Sequence, residues 1–176
     1  MIITVIEPHA DDAFLSAHGH IQQWLKQGHD VRIMTVERDA RRLAEGERYA
    51  EKVGAKYVTD PVGQLVLPLG INHRDHVAAR RQFETAESWF YLDMHYALVQ
   101  RNAELVTRLM QGMEIVSFMK PHARKWTLRT IFESQSSYFS FRGRGEQLKK
   151  SSFELIMRKA GASAAAPASG LTGGRP

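Results

Sequence analysis

Two short clusters in this sequence hold most of the side chains able to bind a metal or move a proton. The first, Pro8-His9-Ala10-Asp11-Asp12, sets one imidazole beside two adjacent carboxylates. The second, His73-Arg74-Asp75-His76, adds two imidazoles and a further carboxylate. Imidazole nitrogen combined with hard carboxylate oxygen is a donor set for a divalent cation. Either cluster alone reads equally as a polar loop. A metal site needs a third protein ligand, and the second cluster is where it can come from. The chain has no cysteine, which excludes disulfides and thiolate ligands and leaves His, Asp and Glu to hold any metal.

The elements that must position these clusters are legible around them. Ile2 to Ile6 is a short β-branched apolar run, suited to a strand buried on both faces. It ends at Pro8, so the first cluster falls at the carboxyl end of a strand, where open α/β sheets bind ligands. Ala13 to Gly28 carries Phe14, Ala17, Ile21, Trp24 and Leu25 at helical spacing, with Gly28 as its stop. Val31 to Val36 is a second strand. Strand, helix and strand with short joints make a βαβ unit and a parallel sheet with a right-handed crossover.

Further along, Ala40 to Val53 is a charged helix closed by Gly54. Lys56 to Thr59 and Gln64 to Leu67 are short strands, and Pro68 to Asn72 is a loop that delivers the second cluster. A helix over His76 to Glu87 follows, then Trp89 to Leu92 as either a strand or an aromatic-walled loop. Tyr96 to Met113 is the longest helical pattern and Glu114 to Met119 a strand. Lys125 to Glu133 is expected as a helix, Ser134 to Gly145 as a surface loop, and Gln147 to Arg158 as a last helix or an edge strand. Residues 1–159 are expected to form one domain. Residues 160–176, made almost wholly of Ala, Ser, Gly and Pro, are expected to be a disordered tail.

Bulk composition narrows the function classes. At 176 residues, 43% hydrophobic and 24% charged, the chain has ordinary globular composition. No apolar run approaches the roughly 18 residues of a membrane helix. The start of the chain shows neither a basic segment nor a small-residue cleavage site, so no secretory leader and a cytoplasmic location are expected. The net charge of +5 comes from scattered basic residues without a stripe or a nucleic-acid motif, so no nucleic-acid partner is expected. Such a surface suits an anionic small substrate. The first strand is not followed by Gly-x-Gly-x-x-Gly, so the usual dinucleotide phosphate cradle is absent.

The two clusters resemble the motifs of the LmbE-like, or PIG-L, family of zinc-dependent N-deacetylases. The family's Pro-His-Pro-Asp-Asp-Glu reads here Pro8-His9-Ala10-Asp11-Asp12-Ala13, and its His-x-Asp-His reads His73-Arg74-Asp75-His76. Weaker echoes are Arg42 with Glu45, Tyr91 with Asp93 and Tyr96, and Ser134-Gln135. The chain departs from the pattern at Ala10, Ala13, His18-Gly19, and Met94-His95, which stands where Leu-Pro is more usual. The resemblance implies an α/β fold with a Rossmann-like open sheet, mostly parallel, and helices on both faces. It implies a zinc-dependent hydrolase that removes an acyl group, chiefly acetyl, from the amide nitrogen of an amino sugar or related small molecule. Its partner would be an N-acylated sugar or sugar conjugate; Fe(II) can use the same ligands.

Carried over by motif, His9, Asp12 and His76 would be the metal ligands, and Asp11 the general base. His73 would polarise the carbonyl or stabilise the oxyanion, Asp75 would orient an imidazole, and Arg42 would contact a substrate hydroxyl or phosphate. Each residue also has a plainer reading: His9 as a loop histidine, Asp11 as a helix cap, His73 within a solvated turn, and Arg42 as an exposed helical arginine paired with Glu45. The roles of Asp11 and Asp12 can be exchanged at this stage. His18, His20, His29, His95 and His122 read as structural or surface residues, and Trp89, Phe90 and Tyr91 as core. The rival function is a Rossmann-like sugar- or nucleotide-binding domain with a non-catalytic metal site.

Overall fold

Strand β1 (Ile2–Glu7) lies inside a seven-stranded sheet, and all of it except Ile2 is buried. The structure is a computed structural model that describes residues 1–120, 130–135 and 153–162. On one side β1 pairs in parallel with β2 (Asp30–Thr35), which pairs with the two-residue β3 (Lys56–Tyr57). On the other it pairs in parallel with β4 (Gln64–Pro68), which pairs with β5 (Trp89–Tyr91). Two further strands, β6 (Met113–Met119) and β7 (Glu154–Lys159), complete the order β3-β2-β1-β4-β5-β7-β6. β7 runs antiparallel to both neighbours. The Gln147 to Arg158 stretch therefore supplies a strand, but an inner one, and β6 is the edge.

Side-chain alternation sends the strands' residues to two cores. Ile3, Val5, Val31, Ile33, Val66, Tyr91 and Ile156 meet Phe14, Ile21, Trp24, Tyr49 and Ala50 on one face. These partners come from α1 (Asp12–Ser16), α2 (His18–Lys26) and α3 (Ala40–Val53). Ile6, Leu67, Phe90, Leu155 and Met157 meet Phe83, Leu105 and Leu109 on the other. Those partners come from α4 (Arg74–Phe83) and α6 (Ala103–Met110). The sheet is thus an open, mostly parallel α/β sheet with helices on both faces. Each fully buried Leu, Ile or Phe contributes about 1.5–3 kcal/mol.

Helix α3 matches its expected bounds. Asp39 accepts the Arg42 N–H at 3.0 Å to cap its start, and Gly54 ends it. The stretch read as one helix from Ala13 to Gly28 is instead broken at Ala17 (φ −140°, ψ 6°). The cause is distant in sequence. The Glu154 carboxylate takes the Gly19 and His20 N–H groups at 2.6 and 3.3 Å, satisfying the free amides at the start of α2. Met119 packs against Gly19 so closely that a Cβ there would collide with its sulfur.

The expected long helix from Tyr96 to Met113 is also broken. It becomes α5 (Met94–Ala97), a 3-10 turn (Gln100–Asn102) and α6. Asn102 makes the interruption: its Nδ2 donates to the Tyr96 carbonyl at 2.9 Å, and its Oδ1 accepts from Asn72 at 3.0 Å. Of the segment read as a helix from Lys125 to Glu133, residues 125–129 lie outside the described residues, and Glu133–Gln135 form a 3-10 turn. The Ser134 to Gly145 loop beyond residue 135, His122, and the 160–176 tail beyond residue 162 lie outside the described residues as well.

Candidate metal centre and active site

Strand order reverses beside β1, because the chain winds from β1 to β2 on one side and returns to β4 on the other. The carboxyl ends of β1 and β4 therefore flank the crevice where such sheets bind ligands. The first cluster leaves β1 there, and the second follows β4 after the Leu69–Asn72 link. Residues 92–96, just after β5, approach the same place.

Asp12 is the meeting point. Its Oδ2 accepts the His9 N–H at 2.8 Å and lies 3.3 Å from both His9 Nδ1 and His76 Nε2. Donor atoms about 2.0–2.2 Å from a tetrahedral ion stand about 3.3–3.6 Å from one another, so both separations suit a shared cation. The far nitrogen of each imidazole is held by a carboxylate. His76 Nδ1 is 2.7 Å from Asp93 Oδ1, and His9 Nε2 is 3.2 Å from Asp75 Oδ2. This is how metal-binding histidines are oriented, with the near nitrogen kept free of hydrogen. His76 Nε2 is buried and has no hydrogen-bond partner of good geometry among the described residues. The donors present therefore fit a divalent metal.

The electrostatics agree with that fit. Burial would push the Asp12 carboxyl up, but His76, His9 and His95 hold it well below the usual carboxylate range. Burial would likewise push the His76 imidazolium down, yet Asp12 and Asp93 raise it to about 10. With no cation present, a proton on His76 is the charge that answers Asp12. A metal entering there must displace it.

Asp11 is placed differently from its neighbour. It sits at the N-cap position of α1, but its carboxylate makes no capping bond. The amide of Ala13 is taken instead by Glu7 Oε2 at 3.0 Å, and Glu7 Oε1 accepts from Thr35 at 2.7 Å. Burial pushes Glu7 well above the carboxylate range. Asp11 Oδ1 faces an Arg42 nitrogen at 3.3 Å, and Arg42 is also gripped by Glu37 at 3.1 Å. Arg42 is thus not an exposed partner of Glu45. The Glu45 carboxylate is buried and accepts the Ser134 N–H and hydroxyl at 2.8 and 2.5 Å. Burial, then the charge of Asp12, raise Asp11 to about 7 against the pull of Arg42.

His73 caps α4, accepting the Asp75 N–H at 3.3 Å, so it precedes the helix rather than lying within it. Its ring stacks on Tyr96 at 5.3 Å and meets His9 and His76 edge-on at 5.0 and 5.2 Å. Its side chain remains about one-third exposed, at the mouth of the cluster. Burial and the neighbouring imidazoles lower its pKa.

Two residues of this site escaped the sequence reading. Asp93 is fully buried. Besides His76, it accepts the Gly70 and Ile71 N–H groups at 2.7 and 3.0 Å. Gly70 adopts φ 85°, the left-handed conformation that lets the loop present both amides to one oxygen. Asp93 was noted in sequence only as part of a weak Tyr-x-Asp-x-x-Tyr echo. His95, expected to be structural or on the surface, instead enters the centre, its Nε2 3.8 Å from Asp12 Oδ1. Burial lowers it to about 4, so its ring is neutral at pH 7. The only signal for it was the departure Met94-His95 itself.

These features define a Rossmann-like α/β protein with a buried His/Asp centre at the carboxyl ends of its central strands. No family model and no curated protein matches the chain. Solved structures do match it. A teicoplanin deacetylase in its zinc-inhibited form aligns with TM-score 0.66 at 16% identity, covering 93% of this chain and all of that one (100%). The A40926 pseudoaglycone deacetylase aligns with TM-score 0.61 at 16% identity, covering 92% and 98%. The 4-carboxy-2-hydroxymuconate hydratase of Pseudomonas putida aligns with TM-score 0.58 at 12% identity, covering 94% and 99%. These likenesses show the fold, and the fold serves more than one chemistry. Among the described residues, no helix is long and apolar enough to cross a membrane.

Proposed function

We propose that the chain is a metal-dependent N-deacetylase of the LmbE-like type, acting on an N-acylated amino sugar or sugar conjugate. One observation carries this reading. Asp12 Oδ2 faces two imidazole nitrogens at 3.3 Å, each ring is backed by its own carboxylate, and a second carboxylate stands beside them without joining them. The deacetylase neighbours on the same fold support it. His9, Asp12 and His76 would hold the metal, zinc or Fe(II). When bound, it would supply Lewis acidity toward the acyl carbonyl and acidify a water.

The chain's own groups do the rest. Asp11 takes the proton from the attacking water as general base. Arg42 holds the Asp11 carboxylate in place at 3.3 Å. His73, at the open mouth, donates toward the oxyanion that forms on the acyl oxygen. The proton collected by Asp11 then passes to the leaving amine. The rival reading keeps the same centre as a non-catalytic site in a binding domain.

The test is to strip the full chain with a chelator, reload it with Zn2+ or Fe2+, and assay N-acetylated amino sugars and glycopeptide sugars for free amine. Metal-dependent amine release is the expected result. In Asp11→Asn the metal should stay and turnover should fall about 10²–10⁴-fold. A loaded protein that binds the sugar and releases no amine is a binding domain.

A further inference from the structure

The centre has more nitrogen donors than its three-residue reading uses. Asp12, His76 and His95 each offer a ligand atom, all within 4.8 Å of one another. Asp12 divides its carboxylate between two sides: Oδ2 faces His9 and His76 at 3.3 Å, and Oδ1 faces His95 Nε2 at 3.8 Å. The latter separation is too long for a hydrogen bond, but it is close to the spacing of two donors on one ion.

His95 is also built into its position. Its side chain is only 9% exposed, and its ring packs on Tyr96 at 4.0 Å and on His76 at 5.9 Å. The helix that carries it, α5, is tied to α1 by the Met94 N–H, which donates to Ser16 Oγ at 3.2 Å. The backbone around His95 is therefore fixed to the element that begins with Asp12.

We propose that His95 is a fourth protein ligand of this centre, sharing Asp12 and His76 with His9. The proposal rests on the metal-centre reading above and deepens it. Three imidazoles and a carboxylate close the shell of a tetrahedral ion, the arrangement of structural zinc sites. With four residues in reach, the centre would hold Zn2+ more tightly than three ligands alone.

The test uses the full chain, stripped of metal and checked for folding by circular dichroism. Zn2+ is titrated by calorimetry, and Co2+ by its visible d–d absorption, which reports coordination number. His95→Ala and His95→Gln should each lower affinity at least tenfold and alter the cobalt spectrum. His9→Ala should keep weakened one-to-one binding through Asp12, His76 and His95, and His9→Ala with His95→Ala should lose it. Wild-type affinity and spectrum in both His95 variants would overturn the proposal, as would complete loss of binding in His9→Ala alone. A wild-type chain that binds neither ion removes the metal-centre reading itself. The two failures are thus separable.

Discussion

His9 and His76 stand at the same 3.3 Å from one oxygen of Asp12, but the chain holds them in opposite ways. His76 is fully buried, and its carboxylate partner Asp93 is buried too, fixed by two backbone N–H groups of the loop after β4. His9 is partly exposed, and its partner Asp75 is about half exposed, with Arg74 on its other oxygen at 3.3 Å. One side of the centre is thus part of the core, and the other is part of the surface. The core side should set metal affinity and stability together, while the surface side can adjust without loss of fold.

Breaking the core side gives the largest effect. Asp93→Ala would leave the Gly70 and Ile71 amides and His76 Nδ1 without an acceptor in a fully buried place. Removing one member of such a buried network costs about 3–5 kcal/mol. Asp93→Asn keeps the shape and an acceptor for the two amides, but places an amide where His76 needs a carboxylate. It should lower metal affinity about 10–100-fold while sparing most of the stability. Thermal melts and calorimetric metal titration separate the two variants. A loss below about 1 kcal/mol in Asp93→Ala would make the two sides alike.

Much of this core side was invisible in sequence, for physical reasons. The two His clusters announce themselves by residue type, and β1 and α3 by local pattern, a β-branched run and a capped amphipathic helix. The resemblance to the LmbE-like motifs brought His9, Asp12 and His76 into one hypothesis, although nothing local could assign Asp11 and Asp12 their different surroundings. That difference comes from Arg42 and His76, residues far along the chain. The breaks at Ala17 and after Tyr96 arise from Glu154 and from Asn102 held by Asn72, contacts that no periodicity reveals. Asp93 and His95 reach the centre because β5 pairs beside β4, a fact of topology rather than of local sequence.

A second test uses protons in place of mutations. In the metal-free protein His76 is raised to about 10, against an ordinary value near 6.5 in the unfolded chain. Between those values the folded protein binds more protons, so stability falls as pH rises. The contribution is fully present below about pH 6.5 and is lost by about pH 10, on the order of 5 kcal/mol for the whole shift. Urea melts of chelated protein at pH 6.5, 8 and 9.5 should show this decline. His76→Gln should flatten it. An equal decline in His76→Gln would assign it to other groups and weaken the view of His76 as the charged anchor of the core side.

The smallest expected effect sharpens the comparison most, because it concerns the partner that looks equivalent in a list of contacts. Asp75→Asn removes a carboxylate 3.2 Å from His9 Nε2, much as Asp93→Asn removes one from His76. Asp75, however, is 47% exposed and has no backbone amide fixed to its carboxylate among the described residues. Water can replace it, and an exposed pair of this kind contributes about 0–1 kcal/mol. Its pull on the His9 proton is also screened by salt, unlike that of a buried carboxylate. Asp75→Asn should therefore leave the melting temperature nearly unchanged and lower metal affinity only a few-fold, with the difference shrinking as salt is raised. Measured beside Asp93→Asn in one buffer, it should be the milder variant by at least about tenfold in affinity. Equal losses would mean that His9 is held as firmly as His76, and that exposure at the mouth of the centre is no guide to its mechanics.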